Sequence, residues 1–129
     1  MILADTDVLI DYLNGKQPIF DQVSEYIRSD NLQTSSVNCF ELLSGARSGR
    51  RGDRVHHLVD TIAVLPLDLD SARKAAEVRQ KLEERGGSIG MADSLVAGIA
   101  LANDLPLMTR NRKHFEAVEN LHLIPVAGI

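Results

Sequence analysis

Short apolar segments alternate with helix-like segments along the whole chain, and this alternation constrains the fold more than any other feature of the sequence. The apolar or β-branched runs, which are typical of buried strands, lie at residues 2–4, 32–36, 61–65, 105–109 and 121–126. Between these runs, apolar residues recur at spacings of three and four, which predicts amphipathic helices. Such regular alternation favours an α/β domain with a mostly parallel sheet that is covered by helices on both faces.

The predicted helices differ in how they begin and end. One starts at Thr6 and stops at Gly15, and another is capped by Ser36 and turns an apolar stripe of Val37, Phe40, Leu43 and Ala46 towards the core. The remaining predicted helices are 19–28, one around residues 55–59 after an exposed turn at 48–54, then 68–84, 91–103 and 113–118. Because no linker, repeat or low-complexity stretch separates these elements, we expect a single domain over residues 1–129.

Composition excludes several classes of protein. The chain has 129 residues and a net charge of −4, and an acidic balance argues against binding nucleic acid through bulk positive charge. A single cysteine, Cys39, excludes a disulfide scaffold. The longest apolar run, 95–102, is far shorter than the roughly 18 residues of a membrane span, and the start lacks the pattern of a targeting segment. We therefore expect a cytoplasmic protein that does not enter a membrane.

Oxygen-bearing side chains fall where a parallel sheet places its ligands, at the carboxyl ends of the strands. Asp5 directly follows the first strand, Glu41 lies about a turn into the helix after the second, and Asp93 opens the most apolar helix. Asn111 comes just after the fourth strand. Hard cations such as Mg²⁺ or Mn²⁺ prefer oxygen ligands, so these residues are candidates for a divalent metal site.

If these acids lie close together, the repulsion between their carboxylates favours a bound cation. Two carboxylates about 4 Å apart near a protein surface repel by roughly 4 kcal/mol at an effective dielectric constant of 20. Each residue also has an ordinary structural interpretation. Asp5, Thr6 and Asp7 are also typical of a helix cap, Glu41 of a solvated helix position and Asn111 of a turn.

Four blocks in the chain resemble the signature blocks of the PIN domain family, and more narrowly those of VapC-type ribonuclease toxins from toxin-antitoxin pairs. The blocks are Ile-Leu-Ala-Asp-Thr-Asp at 2–7, Phe-Glu-Leu-Leu-Ser-Gly-Ala at 40–46, Ala-Asp-Ser-Leu-Val-Ala at 92–97 and Leu-Met-Thr-Arg-Asn at 107–111. Any one block is weak evidence, but four in the family order cover essentially the whole chain. The resemblance implies a three-layer sandwich around about five parallel strands and an endoribonuclease that depends on Mg²⁺ or Mn²⁺.

The resemblance also implies roles for individual residues. By position, Asp5, Glu41 and Asp93 become the catalytic and metal-binding acids, and Thr6 and Thr109 support them by hydrogen bonding. The fourth block departs from the family pattern, because Asn111 stands where many members carry Asp, and His114 is a candidate to share its role as a metal ligand. Candidates to guide the RNA backbone are Arg47, Arg50, Arg51, Arg54, Arg110, Arg112 and Lys113. The implied partners are an RNA substrate, a VapB-type antitoxin and a second copy of the chain in a homodimer.

Two other functions stay open at this point. An Asp-x-Asp after the first strand resembles the aspartyl phosphatases, although their motif usually continues with Gly and Thr whereas here Val8 and Leu9 follow. A binding module that has lost catalysis is the second alternative, because the fourth acid is missing.

Overall fold

A computed structural model describes residues 1–128 and contains one parallel sheet. Its strands are β1 (Ile2–Ala4), β2 (Leu32–Ser35), β3 (Ala63–Leu65), β4 (Leu107–Met108) and β5 (Leu123–Ile124), in the order β3-β2-β1-β4-β5. β1 is central, with Ile2 paired to Leu32 on one side and Leu3 paired to Leu107 on the other. The predicted parallel sheet is therefore confirmed.

Helices cover both faces of this sheet. They are α1 (Thr6–Leu13), α2 (Ile19–Arg28), α3 (Ser36–Gly45), α4 (Arg50–Thr61), α5 (Leu69–Glu84), α6 (Met91–Ala102) and α7 (Arg112–Phe115). Side chains alternate along β1, so Ile2 and Ala4 join a core with α1, α2 and α4, while Leu3 joins a second core with α5, α6 and α7. Two cores on opposite sides of one sheet make the three-layer sandwich, and the predicted fold class is confirmed.

The element boundaries depart from the prediction mainly at the later strands. β4 and β5 have two residues each, where the sequence predicts strands of five residues at 105–109 and six residues at 121–126. α4 begins at Arg50, inside the segment predicted as an exposed turn, and α7 is a single turn that ends at Phe115. Apolar residues beyond a short strand still pack in the core, so hydrophobicity alone overestimates the length of the hydrogen-bonded segment.

The predicted apolar stripe of α3 is only partly correct, because Val37 and Ala46 pack against the cores whereas Phe40 and Leu43 are exposed. Phe40 is 69% exposed and Leu43 is 37% exposed, whereas Asn38, Cys39 and Leu42 are buried. Ser35 rather than Ser36 caps the helix, because its Oγ accepts a hydrogen bond from the Asn38 backbone N–H. The helix is rotated so that a polar residue faces inward, and the contacts of Asn38 described below give the reason.

α5 and α6 pack most closely where α6 has no side chain. A β-carbon built on Gly98 would lie 2.4 Å from the Ser71 carbonyl oxygen and 2.6 Å from the Ala75 backbone nitrogen. Only a glycine permits the two helix backbones to approach to this distance. This crossing fixes α6, and with it Asp93 in the first turn of α6, against α5.

Among residues 1–128, no helix is both long enough and apolar enough to cross a membrane.

Candidate active site

The order of the strands creates a crevice at the carboxyl end of β1. The chain runs outward from β1 through β2 to β3 and then returns to place β4 on the other side of β1. Ligands of open α/β sheets bind at such a reversal, outside the carboxyl ends of the strands. Asp5 follows β1 at this edge and Thr109 follows β4, and α1, α3 and α6 begin near it.

Asp5 is the most buried of the predicted acids, with 5% of its surface exposed. It is the N-cap residue of α1, and its Oδ1 accepts hydrogen bonds from the Thr6 backbone N–H at 2.9 Å and from Asn38 Nδ2 at 3.0 Å. Its Oδ2 accepts a hydrogen bond from Thr109 Oγ1 at 2.7 Å. The carboxylate is thus held by three elements that are far apart in sequence.

The environment of Asp5 disfavours its charged form. Burial, and to a smaller extent the nearby carboxylates of Asp7 and Asp93, raise the pKa of Asp5 from 3.8 to about 6, although the hydrogen bonds from Thr109 and Thr6 oppose the increase. In the part of the chain that the structure describes, no Lys, Arg or His forms an ion pair with Asp5. The described residues therefore supply no counter-charge in direct contact with the Asp5 carboxylate.

Glu41 joins the site through Thr6. It lies exposed on α3, and its Oε1 accepts a hydrogen bond of 2.7 Å from Thr6 Oγ1. Thr6 Oγ1 in turn accepts a hydrogen bond from Asn38 Nδ2 at 2.9 Å. Thr6 and Thr109 therefore make hydrogen bonds of the kind that the sequence predicts for them.

Asn38 is a site residue that the sequence analysis missed. It is fully buried, and its amide donates to both Asp5 and Thr6 while its Oδ1 accepts a hydrogen bond from Ser35 Oγ at 2.5 Å. Because side chains three positions apart share a helix face, its place one turn before Glu41 could have identified it. Burying this amide rotates α3 and leaves Phe40 on the surface.

Asp93 contacts His114 rather than Asn111. Its carboxylate is 28% exposed, and its Oδ2 lies 3.0 Å from His114 Nδ1. Among residues 1–128, the side chain of Asn111 makes no hydrogen bond, although its backbone N–H donates to Thr109 Oγ1 at 3.1 Å. Of the two residues near the fourth block, it is His114 that the structure places beside an acid.

Arg110 does not lie free for RNA, because it pairs with two acids of α1. Its Nε lies 2.9 Å from Asp11 Oδ2 and 4.0 Å from Asp7 Oδ2, and its backbone N–H donates to Asp7 Oδ2 at 3.1 Å. The Nε–H is not directed at Asp11, so this contact is an interaction between charges rather than a hydrogen bond. Burial raises the pKa of Asp7, and the Arg110 contacts oppose that increase.

The other candidate cations divide into two groups. Arg51 donates to Asn14 Oδ1 and Arg54 donates to the Leu13 carbonyl oxygen, so both bind the end of α1. Four cations are exposed and form no ion pair or side-chain hydrogen bond within residues 1–128, and these are Arg47, Arg50, Arg112 and Lys113.

The donor chemistry fits a hard divalent cation, although the described residues do not enclose one. Within residues 1–128, no group of three or more His, Cys, Asp or Glu side chains is close enough together to hold a metal ion. Asp93 nevertheless lies near enough to make a small contribution to the raised pKa of Asp5, and both residues offer carboxylate oxygens. A cation at this edge would relieve the repulsion between them, with Asp5 and Asp93 as direct ligands and Glu41 beside them.

Comparisons with known proteins agree with this arrangement. Residues 2–121 match the PIN domain family. Ribonuclease VapC10 of Mycobacterium tuberculosis is 34% identical over 121 residues, which cover 94% of this chain and 90% of that protein. The tRNA(fMet)-specific endonuclease VapC of Shigella flexneri is 28% identical over 123 residues, covering 92% of each chain.

A solved structure shares the fold. VapBC2 of Rickettsia felis, crystallised with a DNA fragment from its promoter, superimposes with a TM-score of 0.81 at 23% identity, covering 96% of this chain and 98% of that one. Four acidic or amide-bearing blocks lie at one sheet edge, the family match covers almost the whole chain, and a VapC relative is 34% identical. The chain therefore belongs to the PIN domain family and, within it, to the VapC group.

Proposed function

We propose that this protein is a metal-dependent endoribonuclease, which hydrolyses phosphodiester bonds of cellular RNA with Mg²⁺ or Mn²⁺, and that it is the toxin of a toxin-antitoxin pair. The observation that carries the proposal is the Asp5 carboxylate, which is buried beside Asp7 and Asp93 with its pKa raised to about 6. A cation bound at this edge would offset both the burial of this charge and the smaller repulsion from its neighbours. Its VapC relatives are named as ribonucleases, which supports RNA as the substrate.

The residues of the chain hold and orient this site. Asp5 and Asp93 would bind the cation, and Asp5 is fixed in place by Thr6, Asn38 and Thr109. When bound, the cation supplies a water molecule of lowered pKa and stabilises negative charge on the phosphate oxygens. Glu41, whose carboxylate is oriented by Thr6 Oγ1, can accept a proton from the attacking water through its second oxygen.

Exposed cations are available to guide the RNA. Arg112 and Lys113 lie on α7 beside His114, close to the acidic crevice, and Arg47 and Arg50 follow α3. Each adds a local positive charge to a chain whose net charge is −4. Contacts between these side chains and phosphates would position the backbone without reading its sequence.

The test is cleavage of total cellular RNA by protein stripped of metal, with Mn²⁺ or Mg²⁺ then added back. We expect cleavage only with added metal, and we expect Asp93→Asn to reduce it by at least about 100-fold while the protein stays folded. Asp70→Asn is the matched control, because Asp70 lies in the first turn of α5 and is exposed.

Each of the other possible outcomes would indicate a different site or a different function. Cleavage that persists at full rate in Asp93→Asn would contradict the assigned site. RNA binding without cleavage at any metal concentration would indicate a binding module. Turnover of a small phosphate ester in place of RNA would indicate a phosphatase.

A groove on the α1, α2 and α4 layer supports the proposed antitoxin. Its volume is about 650 Å³, and Tyr12 and Phe20 stack within it with ring centroids 5.0 Å apart. Two arginines, Arg50 and Arg54, border this apolar floor with one acid, Asp53, and this excess of positive charge favours an apolar segment that carries acidic residues. In the solved structure of VapBC2, a protein of this fold is part of a complex. We propose that the VapB-type antitoxin lays such a segment in the groove and directs a basic side chain at Asp5, Glu41 and Asp93.

A further inference from the structure

A chain of hydrogen bonds runs in one direction from α3 to the acids of the crevice. It starts at Ser35, whose Oγ accepts a hydrogen bond from the Asn38 backbone N–H at 3.2 Å, so that its own hydroxyl proton goes to Asn38 Oδ1 at 2.5 Å. Because Oδ1 accepts this bond, the NH₂ group of Asn38 is directed away from Ser35, towards Asp5 and Thr6. Ser35 and Asn38 are both fully buried, so water does not compete for these contacts.

The Asn38 amide donates to two groups, and each leads to a different acid. Its Nδ2 lies 3.0 Å from Asp5 Oδ1 and 2.9 Å from Thr6 Oγ1. An amide nitrogen only donates, so Thr6 Oγ1 accepts from it, and the single proton of the Thr6 hydroxyl is left for Glu41 Oε1 at 2.7 Å. The direction of the chain is thus set at Asn38 and ends on the Glu41 carboxylate.

Without Asn38, the Thr6 hydroxyl gains a competing acceptor. Asp5 Oδ1 would lose one of its two donors and keep only the Thr6 backbone N–H. A buried carboxylate oxygen that has lost a donor attracts a replacement, and Thr6 is its neighbour in the chain. We propose that Asn38 is a positioning residue for the proposed reaction, which commits the Thr6 hydroxyl proton to Glu41 by supplying the donor that Asp5 requires. The inference rests on the proposed function for the reaction, but the direction of the hydrogen bonds can be measured without it.

The consequence for the reaction is that one buried amide orients two acids. Asn38 lies one turn before Glu41 on α3, yet it acts on Glu41 through Thr6 of α1. Glu41 is exposed, and within residues 1–128 the contact with Thr6 is the one hydrogen bond that its carboxylate makes. Loss of this orientation should slow the chemical step without weakening contacts to the RNA.

The test is ¹³C nuclear magnetic resonance of the Glu41 carboxyl carbon in the metal-free protein, because this signal shifts when the carboxylate accepts a hydrogen bond. Thr6→Val removes the hydroxyl, and we expect the Glu41 signal to move to that of an exposed glutamate such as Glu84. Asn38→Leu should move it in the same direction, and the double variant should move it no further than Thr6→Val alone. Leu42→Ala is the matched control, because Leu42 is buried in the apolar core on the same helix and its loss should leave the signal unchanged.

Cleavage kinetics give a second readout, with an RNA that the wild-type protein cleaves. We expect Asn38→Leu to lower kcat about tenfold at saturating Mn²⁺ and to change KM by less than about twofold. Leu42→Ala, which loosens the same helix without touching the hydrogen bonds, should keep the wild-type kcat while the protein is folded.

The possible failures are distinguishable. A Glu41 signal that Asn38→Leu leaves unchanged, or shifts from the two single variants that add in the double variant, would overturn the role of Asn38. If Asn38→Leu does not fold, Asn38→Ser takes its place, because a short side chain with one hydroxyl proton cannot donate to both Asp5 and Thr6. A wild-type protein that shows the expected Glu41 signals but cleaves no RNA would support the direction of the hydrogen bonds and contradict the nuclease.

Discussion

At the scale of single residues, the Asp5 carboxylate imposes an electrostatic cost on the folded protein. Its pKa is 3.8 when unperturbed and about 6 in the folded state, a difference equivalent to about 3 kcal/mol at a pH where both states are ionised. Three hydrogen bonds stabilise the carboxylate but do not offset burial and the repulsion from Asp7 and Asp93. The metal-free protein is therefore less stable than its packing would allow.

This cost predicts a pH dependence of stability. Because the folded pKa is raised, the folded state binds more protons than the unfolded state between pH 3.8 and about 6, so the contribution of Asp5 makes the free energy of unfolding fall as pH rises through that window. Asp5→Asn removes the contribution. We expect the variant to gain stability relative to wild type by up to about 3 kcal/mol at pH 7.5 and by little near pH 3.5.

The measurement is urea unfolding in the presence of a chelator across this pH range, with Asp70→Asn as the control for loss of an exposed charge. A difference between Asp5→Asn and wild type that stays constant with pH would contradict the raised pKa.

A second residue-scale prediction concerns Arg110. Its guanidinium lies against Asp7 and Asp11, whose side chains are 12% and 8% exposed. Among the described residues, Arg110 is the only cation paired with these two largely buried acids, and without it they repel each other. Arg110→Met should therefore lower the free energy of unfolding by about 3 kcal/mol. Arg112→Met, two residues away and exposed, should change it by less than about 0.5 kcal/mol. Equal effects in urea unfolding would show that Arg110 is an ordinary surface cation.

The acids of the site and the supporting residues Thr6 and Thr109 could be predicted from the sequence, but the contacts of Asn38 and Arg110 could not. Asp5 and Asp93 lie where strand ends and helix starts place them, and those positions can be read from local patterns. Asn38, by contrast, can be placed on the same helix face as Glu41, but its contacts with Asp5 and Thr6 depend on the packing of α3 against the end of β1 and cannot be read from the sequence. The pairing of Arg110 with Asp11 likewise depends on contact between residues 99 positions apart.

At the scale of elements, the crossing of α5 and α6 holds the third acid in position. Gly98→Ala would place a β-carbon within 3 Å of backbone atoms of α5, which cannot move away as a flexible side chain could. We expect a loss of about 1–3 kcal/mol in the free energy of unfolding from this overpacking. Gly45→Ala is the control, because Gly45 ends α3 and a β-carbon there meets nothing within 4 Å. A wild-type melting temperature in Gly98→Ala would show that the two helices can separate at no cost.

Elements with strong periodicity were predicted closely, and those that depend on tertiary contacts were not. β1 and α2 have the predicted bounds, because each is a short apolar run or an amphipathic pattern with clear ends. β4 and β5 are shorter than their apolar runs, since strand length is set by the partner strand rather than by hydrophobicity. The stripe of α3 is rotated because hydrogen bonding of Asn38 at the site outweighs the burial of Phe40.

At the scale of the whole molecule, the acidic crevice predicts how inhibition depends on the cation. If the proposed antitoxin directs a basic side chain at Asp5, Glu41 and Asp93, it replaces the charge of the metal with its own, and such a desolvated contact contributes a few kcal/mol. Its affinity should therefore fall as Mg²⁺ is raised, and Asp93→Asn should weaken binding and remove most of this dependence. Titrations across a magnesium series with both proteins measure this. Affinities that respond to neither change would mean that the antitoxin blocks RNA from the groove alone.

The homodimer stays a prediction at this scale. Large apolar side chains are exposed near the same sheet edge, and these are Phe40, Leu69 and Met91. A second copy that buried them would lie beside the crevice rather than behind it.

The central position of β1 has a consequence for how the protein is made. Asp5 is synthesised well before its partner Thr109, which directly follows a strand that pairs with β1 only after about a hundred further residues have been added. Until then one edge of β1 has no partner strand, and the crevice is bounded only on the side of β2. A chain that ends before Thr109 therefore lacks a complete site, so activity depends on synthesis of the segment that contains β4.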